Sequence, residues 1–125
     1  MSVANFTVIE GRKYTIPFTM TYSDNWDDPT KIGDPIKQSE IEKVYFYIKR
    51  RATDSVARLE LTDAVATEID WADANAGEIE VYLGANTSGF AGYNDYELSI
   101  EWPDGGFSTV EIGKMYITES VVDNP

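Results

Sequence analysis

Asp24, Asn25, Asp27 and Asp28 place four oxygen-bearing side chains within five residues, the ligand type that a hard cation such as calcium takes. Their spacing lacks the rest of the EF-hand pattern, so the segment reads first as a solvated loop, and no metal or other cofactor is expected. Carboxylates also recur in pairs, Glu78 with Glu80 and Glu97 with Glu101, and a glycosidase works with two such acids. Strand residues of one parity share a face, however, and here that face is the polar one rather than a cleft. Tyr45, Tyr47 and Tyr82 point outward by the same reasoning. With Trp26 or Trp71 they offer rings that stack on sugars or anchor a protein contact. Protein contact ranks ahead of sugar binding, and plain cross-strand packing stands level with it.

What the chain lacks narrows the chemistry. No cysteine and no histidine occur in its 125 residues, which excludes disulfides, thiolate zinc sites, Ser/His and Cys/His nucleophile pairs and imidazole acid/base work. An enzyme is not expected. The first residues carry no charged segment leading into an apolar run, and no stretch approaches the roughly 18 apolar residues of a membrane span. The expectation is a soluble protein made in the cytoplasm, without a membrane partner. Net charge is −12, and residues 59 to 113 hold twelve acids and no base. That block argues against nucleic acid and toward either solubility or a partner with a basic surface. Lys49, Arg50 and Arg51 form a small basic patch for a second contact.

The elements that must position these groups are strands. Tyr96, Leu98, Ile100 and Trp102 alternate with polar residues, Pro103-Asp104-Gly105-Gly106 reverses the chain, and a return strand reaches Ile117 with a bulge expected at Gly113. A hairpin cannot bury its own apolar face, so the rest of the chain must cover it. Alternation predicts further strands near 4–9, 14–22, 44–49, 57–61, 69–71 and 79–83, with a long surface loop over 23–35. A helical turn capped by Thr87 or Ser88 is expected between Gly84 and Gly92. The predicted inward set is Phe18, Met20, Val44, Phe46, Ile48, Leu59, Leu61, Ile79, Val81, Leu83, Leu98, Ile100 and Ile117. The whole reads as all-β, a single immunoglobulin-like β-sandwich of about eight antiparallel strands over residues 1–118, followed by a short tail over 119–125. If the strands holding Glu78 and Glu80 and holding Glu97 and Glu101 are neighbours, four carboxylates crowd together.

The run from Gly77 to Leu83, then Thr87, Gly92 with Tyr96-Glu97-Leu98, Pro103-Asp104-Gly105 and Gly113 to Ile117 resembles a tailed-bacteriophage structural domain. With Pro35-Ile36 and Val44 to Lys49 it is similar to the immunoglobulin-like domain at the start of phage baseplate upper proteins, over most of residues 6 to 118. The resemblance implies a non-enzymatic structural component of a virion, a tail or baseplate adaptor or a capsid-decorating subunit. Such a subunit docks onto other virion subunits, is oligomeric in the particle and is synthesised in the host cytoplasm. The expected interface residues are Tyr45, Tyr47, Tyr82, Glu78, Glu80, Glu97, Glu101, Lys49, Arg50 and Arg51. The alternative reading is a carbohydrate-binding module using the exposed aromatics, and a carboxylate hydrolase ranks third.

Overall fold

The computed structural model describes residues 2–23, 26, 28–51 and 53–119. Wherever apolar and polar residues alternate, a strand forms with the apolar set inward. Thus β1 (Ser2–Ile9) buries Val8, and β2 (Thr15–Thr19) buries Ile16 and Phe18. The longer β3 (Lys43–Lys49) buries Val44, Phe46 and Ile48, and β4 (Leu59–Thr62) buries Leu61. Ile69 turns inward from β5 (Ile69–Asp73), as do Ile79 and Val81 from β6 (Glu78–Tyr82). The closing hairpin is β7 (Gly92–Glu101) and β8 (Phe107–Thr118).

These strands form two packed sheets. One has the order β1-β8-β7-β3-β4 and the other β2-β6-β5. With β2 to β8 read as B, C, C′, D, E, F and G, this is the strand order of an immunoglobulin-like sandwich. One expectation is corrected: β1 runs parallel to β8, while every other pair is antiparallel. The reason lies in the turn after β1, where Gly11 adopts φ +70° and the chain crosses to the other sheet. Leaving its sequence neighbour, β1 settles beside the last strand instead. Between the sheets, Phe18 of β2 meets Phe6, Phe46 and Tyr96, with ring centroids 6.0, 6.0 and 6.3 Å away.

The inward set is buried as expected except for Leu59, which starts the edge strand β4 and is only partly covered. Ile36 and Ile41, isolated apolar residues in polar surroundings, join the core unexpectedly. The bulge also moves. Leu98 pairs with Glu111 and Ser99 with Thr109, so the extra residue is Val110, whereas Gly113 pairs regularly with Tyr96.

The expected strand over 14–22 is shorter and then changes partner. Beyond Thr19, the Met20 N–H donates to the Gly77 carbonyl, Thr21 bridges Pro35, and the Ile36 N–H donates to the Met20 carbonyl. A helical turn does occupy Gly84–Thr87, but Thr87 closes it rather than capping its start. The buried Thr87 hydroxyl instead accepts from the Gly11 N–H at 2.8 Å and pins the first turn. Of the expected tail, all but Glu119 lies outside the described residues.

Candidate functional site

Odd-numbered residues of β3 and β7 point away from the core, so the outer face of the five-stranded sheet can be built row by row from the register. Tyr45 faces Thr62 on one side and Ser99 on the other, and the next row holds Glu60, Tyr47, Glu97 and Ile112. The two tyrosine rings stack nearly parallel, 5.7 Å apart at 6°, and Phe107 leans on Tyr45 at 5.9 Å. Further along, Lys49, Asp95 and Lys114 form a charged row, with Lys114 Nζ 2.6 Å from Asp95. Beyond it Tyr93 and Tyr116 pack at 4.6 Å. A hollow of about 280 Å³ lies over the row between the two aromatic groups.

Polar partners hold this face in place. Lys43 Nζ sits 5.7 Å over the Tyr45 ring and Lys49 Nζ 6.0 Å over that of Tyr47. The Tyr45 hydroxyl donates to Glu101 at 3.1 Å, and Glu97 accepts from the hydroxyls of Ser99 and Thr109. Burial, then the negative charges of Glu60, Glu97 and Glu101, pushes the Tyr47 hydroxyl up to about 12, and burial with Glu101 raises Tyr45 as well. Both phenols therefore stay protonated, as donors, far above neutral pH. Despite this ordering the face is not covered: Phe107 is 60% exposed and Tyr93 76%.

The remaining expected site residues lie elsewhere. Tyr82, Glu78 and Glu80 belong to β6 and point outward from the three-stranded sheet, on the opposite side of the sandwich from Tyr45 and Tyr47. The four-carboxylate cluster does not exist, because β6 and β7 are in different sheets. Instead Glu80 faces Asp70 across the ladder, and no Lys or Arg stands on β2, β5 or β6. Burial, then Glu80 and Asp70, raises the Tyr82 hydroxyl. Lys49 lies on the aromatic face, while Arg50 and Arg51 are exposed in the turn after β3, where Asp54 accepts the Arg51 N–H at 3.1 Å.

Asp24, Asn25 and Asp27 lie outside the described residues. Asp28 caps a short 3-10 turn, Pro29–Lys31, accepting the Thr30 N–H at 3.1 Å and its hydroxyl at 2.5 Å. Among the described residues no group of three or more Asp, Glu, His or Cys is placed to hold a metal ion. Glu97 and Glu101, four residues apart on a strand, stand roughly 13 Å apart along it. That exceeds the separation of about 5 to 9.5 Å at which paired carboxylates cleave glycosides.

A second feature was only half legible. Trp102 ends just past β7, so its ring closes one end of the sandwich rather than continuing the inner face. It stacks on Tyr22 at 5.8 Å and 28°, with Trp26 edge-on to both at 5.9 Å. These rings wall a cleft of about 740 Å³. The signal was Trp26 itself, a large ring in a stretch otherwise made of turn residues.

In comparison with known proteins, no family model matches the chain and no curated sequence does. The class defined by fold and site is therefore a β-sandwich with an ordered, uncovered aromatic sheet face.

Proposed function

We propose that this chain is a non-enzymatic docking subunit whose main contact is the outer face of its five-stranded sheet. The resemblance described under Sequence analysis makes a phage particle the assembly in question. The observation that carries the docking reading is the stacked, half-buried pair Tyr45 and Tyr47 with the exposed Phe107, held by Lys43, Lys49 and Glu101. Rigid aromatics surrounded by charges are what protein interfaces use as anchors, since little side-chain freedom is left to lose on binding.

The same geometry disfavours sugar stacking here. A pyranose needs an open ring face, but these rings lean on each other and carry an ammonium group over them. Charge on this face is mixed, with Lys43, Lys49 and Lys114 among Glu97, Glu101 and Asp95. A basic neighbour fits the opposite face better, where Asp70, Glu78 and Glu80 stand without a base on their strands.

The test is incorporation. A Tyr45→Ala/Tyr47→Ala chain should keep the β spectrum of the parent, yet be lost from particles assembled in its presence, as read by sedimentation and electron microscopy. Incorporation at the parental level would refute the assignment of this face.

A further inference from the structure

The cleft walled by Tyr22, Trp26 and Trp102 is built by two separate segments, residues 22–31 and 102–108. Tyr22 is held by the exchange of hydrogen bonds with Gly33 and Asp34, Trp102 by the Gly106 carbonyl and by its indole donating to Ser108 at 2.8 Å. At about 740 Å³ it falls within the roughly 300 to 1,000 Å³ typical of ligand sites. Phe107 lines it and also leans on Tyr45, so the cleft is continuous with the proposed docking face.

Its charges are one-sided. Lys31 lies over the Tyr22 ring at 5.2 Å, but its ammonium is bound to Glu40 at 3.0 Å. Asp28 and Asp104 stand at the rim, and each spends one oxygen, Oδ1, on its own turn. Their Oδ2 atoms have no partner among the described residues. Four cation-π contacts occur in those residues, and none uses either indole of the cleft. Indole is the best of the aromatic cation acceptors. The cleft thus combines two indoles that carry no cation among the described residues with two half-free carboxylates, in a chain of net charge −12.

We propose that this cleft receives an arginine side chain of the subunit that docks on the five-stranded sheet, a step that rests on the docking reading above. Arginine fits because its planar guanidinium stacks on an indole while its edge gives paired hydrogen bonds to a carboxylate. Lysine is a point charge that cannot do both. A neutral sugar would gain the stacking but would leave the charge of the rim unused.

The full chain can be titrated with acetyl-Arg-Arg-Arg-amide, its tri-lysine counterpart and maltotriose, following the three indole N–H resonances. Trp71 is the internal control, since its indole donates to Asp63 at 3.1 Å and it sits on β5, away from the cleft. The arginine peptide should shift the Trp26 and Trp102 resonances saturably and leave that of Trp71 in place. An Asp28→Asn/Asp104→Asn chain should bind it about tenfold more weakly, the usual scale for charge-assisted hydrogen bonds. The Oδ1 acceptors of both turns survive in that variant, so the fold is kept. Equal binding of tri-lysine without indole shifts, or shifts produced by maltotriose alone, would overturn the proposal. Because no particle is involved, such a failure stays separate from that of the docking face, which incorporation of the tyrosine variant decides.

Discussion

Gly77 packs against the Met20/Ile36 backbone pairing that leads into Tyr22, one wall of the cleft, and Gly77→Ala tests whether the wall depends on it. Its φ of +71° is one that a side chain adopts only at a cost of about 1 to 2 kcal/mol. A Cβ there would also lie 2.4 Å from the Met20 carbonyl oxygen, 3.0 Å from that of Ile36 and 3.1 Å from the Ile36 nitrogen. All three are backbone atoms, and two of them make one hydrogen bond, Ile36 N–H to Met20 O at 2.9 Å. Relief of the overlap must move that strand pairing, so at least one net hydrogen bond of about 1 kcal/mol is added to the conformational term. The sum is roughly 3 kcal/mol, which at a urea slope of about 1 to 3 kcal/mol/M lowers the unfolding midpoint by one molar or more. Gly33→Ala is the control, because its φ is +84° but nothing lies within 4 Å of the added carbon. It should cost only the conformational term. Equal midpoints for the two variants would refute the packing argument, and unchanged tryptophan fluorescence in Gly77→Ala would refute its link to the cleft.

Other outcomes follow from the charges. Tyr47, whose folded value is about 12, stabilises the fold fully below the ordinary phenol range near 10, and that contribution is lost as pH rises toward 12; ultraviolet titration of Tyr47→Phe should lose a late phenol while the raised Tyr22, Tyr45 and Tyr82 stay late. Burial alone would raise Glu40, but hydrogen bonds from the Lys37 N–H and Lys31 outweigh it and lower the carboxyl. Its contribution is present above the ordinary carboxylate range and lost as pH falls through the lowered value, so Glu40→Gln should flatten the acid side of the stability curve measured by urea unfolding. Neutralising the two acidic pairs should act with opposite sign. Glu78→Gln/Glu80→Gln relieves repulsion with Asp70 and should gain about 0.2 to 1 kcal/mol at low salt, whereas Glu97→Gln/Glu101→Gln weakens bonds to Ser99 and Tyr45 and should lose about 1 kcal/mol. Paired unfolding curves at low and high salt check both.

Alternation made the core of β3 legible, because Val44, Phe46 and Ile48 share a face whatever lies beside them. Period-2 patterning is a property of one strand. Which strands become neighbours is not, and that is why Glu78 and Glu80 were grouped with Glu97 and Glu101 although a full sandwich separates them. Val110 rather than Gly113 forms the bulge because the register is set by both strands at once. Ile36 and Ile41 give no period to read, being single apolar residues amid turns, yet both belong to the buried core. Tyr45 and Tyr47 were legible as outward rings of one strand, but the Glu97 opposite Tyr47 and the Glu101 that accepts from Tyr45 needed the register with β7.

The parallel pairing of β1 with β8 joins positions 2 through 9 to positions 111 through 118. Tension applied to the chain before β1 and after β8 therefore runs along the two strands in opposite directions. The ladder is loaded in shear, with all eight paired positions sharing the force, whereas an antiparallel pair pulled by adjacent ends would unzip one bond at a time. Single-molecule stretching through the two ends should meet a high rupture force at this ladder. Pulling instead from Gly92 and the end of β8, the paired open ends of the β7/β8 hairpin, unzips it and should meet a low one. Similar forces in both geometries would count against this reading.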